Sequence, residues 1–419
     1  MKHVFFYALA ASSLMFSACS SDDPSVAGTG SNQTNAVQEI ALQVASSGDG
    51  LTTRAGRQLE SSEADQNIQN VKVFVCDAQN SVKYVKDYTD WMGNDASNYD
   101  NGRKATFTIP EADHLSEGTY NIYAIGYSEG SDYDLSSITN ITKGGTFNEN
   151  TAISLSTGKT EAEEIFAGSA KLTVEEGKKA TSTVTLNRQV AGTFGYVEEI
   201  PYVEGATELQ LVASNSGSNL ILGSFANTDI TGNGENNGNN VKYVVNSANA
   251  NKAQTVYTID LTKWFTEIKD EDKNGLIDAD TNWKGDDTKY KKGSVFAGCF
   301  LFPFAKTDGQ TFTLQLVKPN DAENPVRTWN VNLPTSDGQL SAYSFTSWNG
   351  TAFTTANATD TKNAYSVVRN HLYGIGTRTS SKPNKPGEGG DTPQLLKKTQ
   401  DITLQVNDNW EVIHKMELE

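Results

Sequence analysis

The chain is poor in the residues that most often carry chemistry. Its 419 residues include only three cysteines and four histidines. That leaves little material for a zinc centre or a disulfide framework. Basic residues are outnumbered, 34 to 51, giving a net charge of −17. Nucleic acid is excluded as a partner, because phosphate binding needs a basic face. Docking on anionic lipid through a polybasic surface is excluded for the same reason. There is no G-x-S-x-G, no H-E-x-x-H and no P-loop, so no catalytic residue is assigned and the chain does not read as an enzyme. Gly232-Asn233-Gly234-Glu235 is glycine-rich but lacks a lysine and a following helix, and reads as a long hairpin loop. No apolar run reaches the roughly 18 residues needed to cross a bilayer as a helix.

What is present begins with an address. Lys2 and His3 precede a largely apolar stretch, Val4 to Phe16, of signal-peptide length. Phe16-Ser17-Ala18-Cys19 resembles a bacterial lipobox, with phenylalanine where leucine is usual, and Ser20-Ser21-Asp22-Asp23 follows. In this reading residues 1–18 are removed and Cys19 carries lipid. The alternative is an ordinary cleavable signal with a chance cysteine. Loss of residues 1–18 takes away one lysine and no acid, so −17 becomes −18.

The body reads as short strands separated by Gly, Asn, Asp and Ser. Ile40, Leu42 and Val44 share one face of a period-2 segment. Further strands are expected at 71–76, 120–125, 181–186, 208–212, 241–245, 295–302, 312–317 and 329–333. Helical windows are scarce, with a turn or two expected over 261–268. The class is all-β, built from antiparallel β-sandwiches. A boundary near Arg188-Gln189 divides the body into domains at 55–188 and 189–381. Cys76 and Cys299 fall in apolar strands and are expected to be buried free thiols. Carboxylate pairs such as Glu163-Glu164 and Asp286-Asp287 are expected on a solvated face.

Residues 382–393 form a Pro/Gly linker, and 382–419 is read as linker plus terminal strand. Ile402-Thr403-Leu404-Gln405-Val406 repeats Ile40-Ala41-Leu42-Gln43-Val44 at four of five positions. Trp410-Glu411-Val412 follows. The terminal segment is either a last strand of its own domain or a strand meant for another molecule. A sandwich lacking one strand exposes an edge and a row of core pockets. A strand of the same spacing can fill them by β-augmentation. A further candidate is Asp270-Glu271-Asp272-Lys273-Asn274-Gly275-Leu276-Ile277-Asp278, which fits the first nine positions of an EF-hand-like loop. Asp270, Asp272, Asn274 and Asp278 would ligate calcium; the twelfth position is Thr281 instead of the bidentate glutamate.

Together these features resemble the Bacteroidales-type fimbrillins, subunits of type V pili, in their minor-fimbrium (Mfa-type) branch. The resemblance rests on the lipobox at Cys19, the early strand followed by Thr53-Arg54-Ala55, and the strand at 71–76. It also rests on Arg369-Asn370-His371-Leu372-Tyr373, which resembles their R-N-H-x-Y segment, and on the terminal I-x-L-x-V…W-x-V pattern. It implies two transthyretin-like sandwich domains and export as a lipoprotein to the outer membrane and cell surface. It implies that residues 19–54, carrying the lipid anchor and the strand of Ile40, Leu42 and Val44, are removed by an arginine-specific extracellular protease. Arg54 matches the processing position, and Arg57 is a second candidate. Polymerisation by donor-strand exchange would follow, with Ile402, Leu404, Val406, Trp410 and Val412 entering the next subunit. Residues 19–54 hold four acids and one base, so the trimmed chain of about 365 residues would carry −15. The partners implied are other fimbrial subunits, the protease, and membrane lipid through Cys19. No cofactor is required beyond structural calcium. The rival reading is a surface lipoprotein whose sandwiches bind glycan through six tryptophans and 16 tyrosines.

Overall fold

A computed structural model describes residues 37–45, 68–91, 93–99, 102–149, 151–159, 162–214, 219–222, 240–244, 253–302, 312–332, 344–348, 353–356, 372–376, 392–397, 401–403 and 405–407. The first sheet has eight strands. In chain order they are β1 (Gln38–Ala45), β2 (Asn70–Cys76), β3 (Val82–Tyr88), β4 (Ser97–Tyr99), β5 (Gly102–Thr108), β6 (Gly118–Tyr127), β8 (Phe166–Val174) and β9 (Ala180–Arg188), with the short β7 (Ala152–Ser154) outside it. Their spatial order is β3-β2-β6-β8-β9-β1-β5-β4. The sheet folds over where β8 meets β9, which pair only through Phe166 with Arg188 and Ala167 with Asn187. Gly168 allows this corner, since a Cβ there would lie 2.0 Å from the Thr185 carbonyl oxygen. The two halves thus face each other as a sandwich. Ile40, Leu42, Phe107, Val184 and Leu186 of one half pack with Val71, Val73, Val75, Ile122 and Leu172 of the other.

The rest of the chain builds a second sandwich. Its strands are β10 (Ala191–Glu198), β11 (Glu208–Ala213), β14 (Gln254–Asp260), β15 (Val295–Leu301), β16 (Phe312–Val317), β17 (Arg327–Asn332), β20 (Leu372–Ile375), β21 (Gln394–Leu395), β22 (Asp401–Thr403) and β23 (Gln405–Asn407). One sheet runs β15-β10-β20-β23, with β21 also on β10; the other runs β14-β11-β16-β17-β22. Between them lie Leu209, Leu211, Leu314, Trp329, Tyr373 and Leu396. A small sheet of β12 (Asn219–Ile221), β13 (Asn240–Val244), β18 (Ser344–Trp348), β19 (Phe353–Ala356) and β7 ties late strands to an early one.

Period 2 explains why so many strands are buried on both faces. On β2 and β6, Val73 and Ile122 face the first core, while Phe74, Tyr123 and Ile125 face outward. On β10 and β15, Val197 and Val295 face the second core, while Phe194, Tyr196 and Phe296 face outward. The outward sets meet in a third core that cements the sandwiches face to face. Accordingly, residues Asn35–Glu419 form one compact unit. Cys76 and Cys299 are buried free thiols, as expected.

The all-β class read from the sequence is what the structure has. Most pairings are antiparallel, but five among the described strands are parallel, including β1 with β9 and β10 with β20. One expectation is overturned. Asp286 and Asp287 are exposed, but Glu163 and Glu164 are 5% and 2% exposed. Glu164 pairs with Arg188 at 2.6 Å, and the Glu163 carboxylate accepts from Ser131 Oγ and from the Asp132 amide. The fold brings Arg188 at the end of β9 onto a carboxylate 24 positions earlier, which adjacent acids in a sequence cannot reveal.

Candidate functional site

β1 is the central feature. It lies inside the first sheet, antiparallel to β5 and parallel to β9, with seven residues in register on each side. Ile40 and Leu42 are fully buried, because alternate side chains of an interior sandwich strand point into the core. Val44 lies on the same strand, paired with Leu186 and Arg103. At the entry, Gln38 is 4% exposed. Its side chain donates to the Leu115 carbonyl at 2.8 Å and accepts from the Leu115 amide at 2.9 Å. The Gln38 carbonyl accepts from Ile109 N at 2.9 Å. The Glu39–Lys179 pair at 3.3 Å is exposed and adds little.

Without β1 the sandwich would present two unpaired ladders, β5 and β9, whose inward side chains Ala105, Phe107, Val184 and Leu186 flank a gap in the first core. Such a slot accepts a strand and little else, because its free groups are backbone donors and acceptors spaced for one. Burying Ile40 and Leu42 stabilises by about 1.5–3 kcal/mol each. β1 is therefore held by burial of Ile40 and Leu42, by two backbone ladders and by the Gln38–Leu115 hydrogen bonds.

The chain leaves β1 at Ala45 and is next described at Ile68. Arg54 and Arg57 fall in that interval and, with Cys19, lie outside the described residues, as does the Gly232–Glu235 segment. At the other end, Ile402 falls in β22 and Val406 in β23, whereas Leu404, Trp410 and Val412 lie outside the described residues. Of the R-N-H-x-Y segment, Tyr373 is 1% exposed in the second core, and residues 369–371 lie outside.

The acidic loop has the shape its sequence suggests. One carboxylate oxygen each of Asp270, Asp272 and Asp278 lie within 4.8 Å of one another. Asp270 accepts from the amides of Asn274 at 3.0 Å and Gly275 at 2.9 Å. Asn274 accepts from Leu276 N at 2.8 Å and donates to Asp272 at 2.8 Å. Gly275 takes φ +85°, as the turn requires. Ile277 is buried in the second core and its amide donates to the Ile200 carbonyl at 2.9 Å. The sequence did not point to Glu199, whose buried Oε2 has no hydrogen-bond partner among the described residues and which lines, with Asp272, Asn274 and Asp278, a cavity of about 380 Å³.

The fold defines a class: an all-β chain of stacked sandwiches whose first described strand, β1, lies inside the first sheet. The chain belongs to the family of fimbrillin-A associated anchor proteins Mfa1 and Mfa2, whose model matches residues 41–284. That makes it a member of a fimbrial subunit family, components of cell-surface fimbriae. Among solved structures it is similar to the fimbrial anchor protein Mfa2 from Porphyromonas gingivalis (10% identity, 80% of this chain and 99% of that one, TM-score 0.37). It is also similar to the tip fimbrial protein Mfa3 from Porphyromonas gingivalis with a C-terminal truncation (10% identity, 82% and 96%, TM-score 0.39). No curated protein matches the chain.

Proposed function

We propose that this protein is a fimbrial subunit exported as a lipoprotein through Cys19 to the outer membrane, trimmed after Arg54 or Arg57 by an arginine-specific protease, and polymerised by donor-strand exchange. In this reading strands up to Arg188 form the first domain and residues 189–381 the second. β1 is a removable plug, and Ile402, Leu404, Val406, Trp410 and Val412 form the donor that replaces it in a second copy. The observation that carries the reading is the placement of β1. It is an interior strand of the first sheet, and its buried Ile-x-Leu pattern recurs at 402–404. A cut between Ala45 and Ile68 severs it from the sandwich that it completes. The same cut releases the lipid at Cys19.

The Asp270–Asp278 loop is proposed to take structural calcium through Asp270, Asp272, Asn274 and Asp278, stiffening the connection it makes to Ile200 and Pro201. The glycan-binding alternative loses support from its tryptophans. Trp91 and Trp329 are buried, and Trp264 and Trp283 pack against the cores, so none of the four is a free stacking platform.

N-terminal sequencing of the protein recovered from the cell surface tests the reading. A start at Ala55 or Gln58 is expected. Lipidated Cys19 as the sole N-terminus would contradict it and favour an anchored binder.

A further inference from the structure

β1 opens on a polar residue that faces the core. Gln38 lies on the same side of the strand as Ile40 and Leu42 and is 4% exposed. A buried carboxamide needs partners, and Gln38 finds both in one residue. Its Nε2 donates to the Leu115 carbonyl at 2.8 Å, and its Oε1 accepts from the Leu115 amide at 2.9 Å. Among the described residues no other group pairs with that amide or that carbonyl. Leu115 is itself buried and sits in the connection from β5 to β6. That connection is held without β1. The Asp113 amide donates to the Pro110 carbonyl at 2.8 Å, and the Tyr120 hydroxyl donates to the Ser116 carbonyl at 3.0 Å. The receptor for the carboxamide is therefore built into the body of the sandwich.

The clamp supplies what the apolar pattern lacks. A one-residue slip of β1 would turn its buried side chains outward. A two-residue slip would not, because each aliphatic side chain would take its neighbour's place in the core. Gln38 separates the two registers. Slipped by two in either direction, it leaves the Leu115 amide and carbonyl buried and unpaired, which costs more than an exchange of aliphatic side chains. The repeat in the sequence also extends to this residue. Gln38-Glu39-Ile40-Ala41-Leu42-Gln43-Val44 and Gln400-Asp401-Ile402-Thr403-Leu404-Gln405-Val406 agree at five of seven positions, and a sixth exchanges one acid for another. The remaining difference, Ala41 against Thr403, falls where β1 is half-buried on its outer side. Glutamine thus stands two residues before the isoleucine in both segments. Gln400 lies outside the described residues, and its match to Gln38 is one of sequence.

We propose that the Leu115 amide and carbonyl form the register-setting end of the β1 slot, a site for a primary carboxamide, occupied by Gln38 in the uncut chain and by Gln400 of a second copy in the polymer. The second occupant rests on the strand-exchange reading; the first does not. Gln38 and Gln400 are positioning residues, choosing among registers that the aliphatic side chains accept alike. The same site selects a partner. A strand with Ile-x-Leu-x-Val spacing but no glutamine two residues ahead would enter the slot in more than one register.

Disulfide mapping reads the register. Ala41 pairs with Thr106 of β5, with Lys104 and Thr108 two places to either side, and all three β5 residues are exposed. In the uncut full chain, Ala41→Cys is combined with Lys104→Cys, Thr106→Cys or Thr108→Cys, oxidised, and mapped by peptide analysis. With Gln38 present, only the Thr106→Cys chain is expected to join. Adding Gln38→Leu is expected to lower that yield severalfold and to join Lys104→Cys or Thr108→Cys as well. A folded Gln38→Leu chain that still joins at Thr106→Cys alone overturns the clamp. The second arm of the test keeps β1 unaltered, so the uncut subunit folds around its own plug. Chains with Thr403→Cys are trimmed with an arginine-specific protease and mixed with trimmed chains carrying one of the three β5 substitutions. The SDS-resistant ladder from the Gln400 donor is expected to be cross-linked at Thr106→Cys alone, and that from a Gln400→Leu donor at two or more positions. Cross-links confined to Thr106→Cys with Gln400→Leu overturn the second occupant. No ladder from the Gln400 donor overturns strand exchange and the second occupant with it, while the uncut chain still decides the first.

Discussion

Leu42 has a different importance before and after trimming. In the uncut chain it is fully buried between two ladders, so Leu42→Ala should cost about 2–5 kcal/mol in urea unfolding. In the proposed trimmed polymer the residue would be absent, and the same substitution should leave polymer stability unchanged. Leu396→Ala removes a comparable buried side chain but should destabilise both forms, because that residue stays in its own core. The two thiols make a second residue-scale case. Burial pushes the Cys76 thiol up to about 12, with a smaller contribution from the Asp77 charge, and the Cys299 thiol donates to the Val256 carbonyl at 3.1 Å. At pH 8 neither should react with a maleimide in the folded trimmed protein, and both should react in denaturant. The sign of the pH dependence follows. The fold holds Cys76 neutral, so its contribution to stability is complete below the unfolded thiol's value of about 8.5 and is lost as pH rises toward 12.

At the scale of elements, legibility in the sequence followed chemistry. β1, β2, β6, β11 and β16 alternate β-branched, aromatic or leucine residues and were expected where they occur. β10 was missed, though it is the spine of the second sandwich, because Gly192 and Gly195 dilute the strand signal. Gly195 is there for space: a Cβ on it would lie 2.5 Å from the Tyr257 hydroxyl. The slot was legible as a pattern, since Ile40, Leu42 and Val44 share a face. Its position was not, because parallel pairing with β9 joins residues about 140 apart in sequence. The buried Glu164–Arg188 pair escaped notice for the same reason. Removing one partner should be costly: Glu164→Gln takes the carboxylate away from a guanidinium 3% exposed and should cost about 3–5 kcal/mol. Replacing both with Leu and Met should recover most of that. The acidic loop at Asp270–Asp278 is legible in residue type but not in Glu199, which arrives from the end of β10. Calcium at one hundred times its dissociation constant should raise unfolding free energy by about 2.7 kcal/mol, and Asp270→Asn with Asp278→Asn should abolish the rise.

For the whole molecule, the proposed trimmed chain would carry −15, so its subunits would repel and cohesion would have to come from strand insertion and apolar burial. Raising salt should therefore speed assembly without weakening the assembled polymer. The shared third core also matters here, because it makes the two sandwiches one body, as the proposed filament would require. The most direct test of the central claim is gel analysis of the purified chain before and after cutting at Arg54 or Arg57, boiled and unboiled in SDS. The uncut chain should run as a monomer. The cut chain should give a regular SDS-resistant ladder that Leu404→Asp, in the donor segment, abolishes. A cut chain that has lost residues 38–45 yet stays monomeric at high concentration would contradict strand exchange.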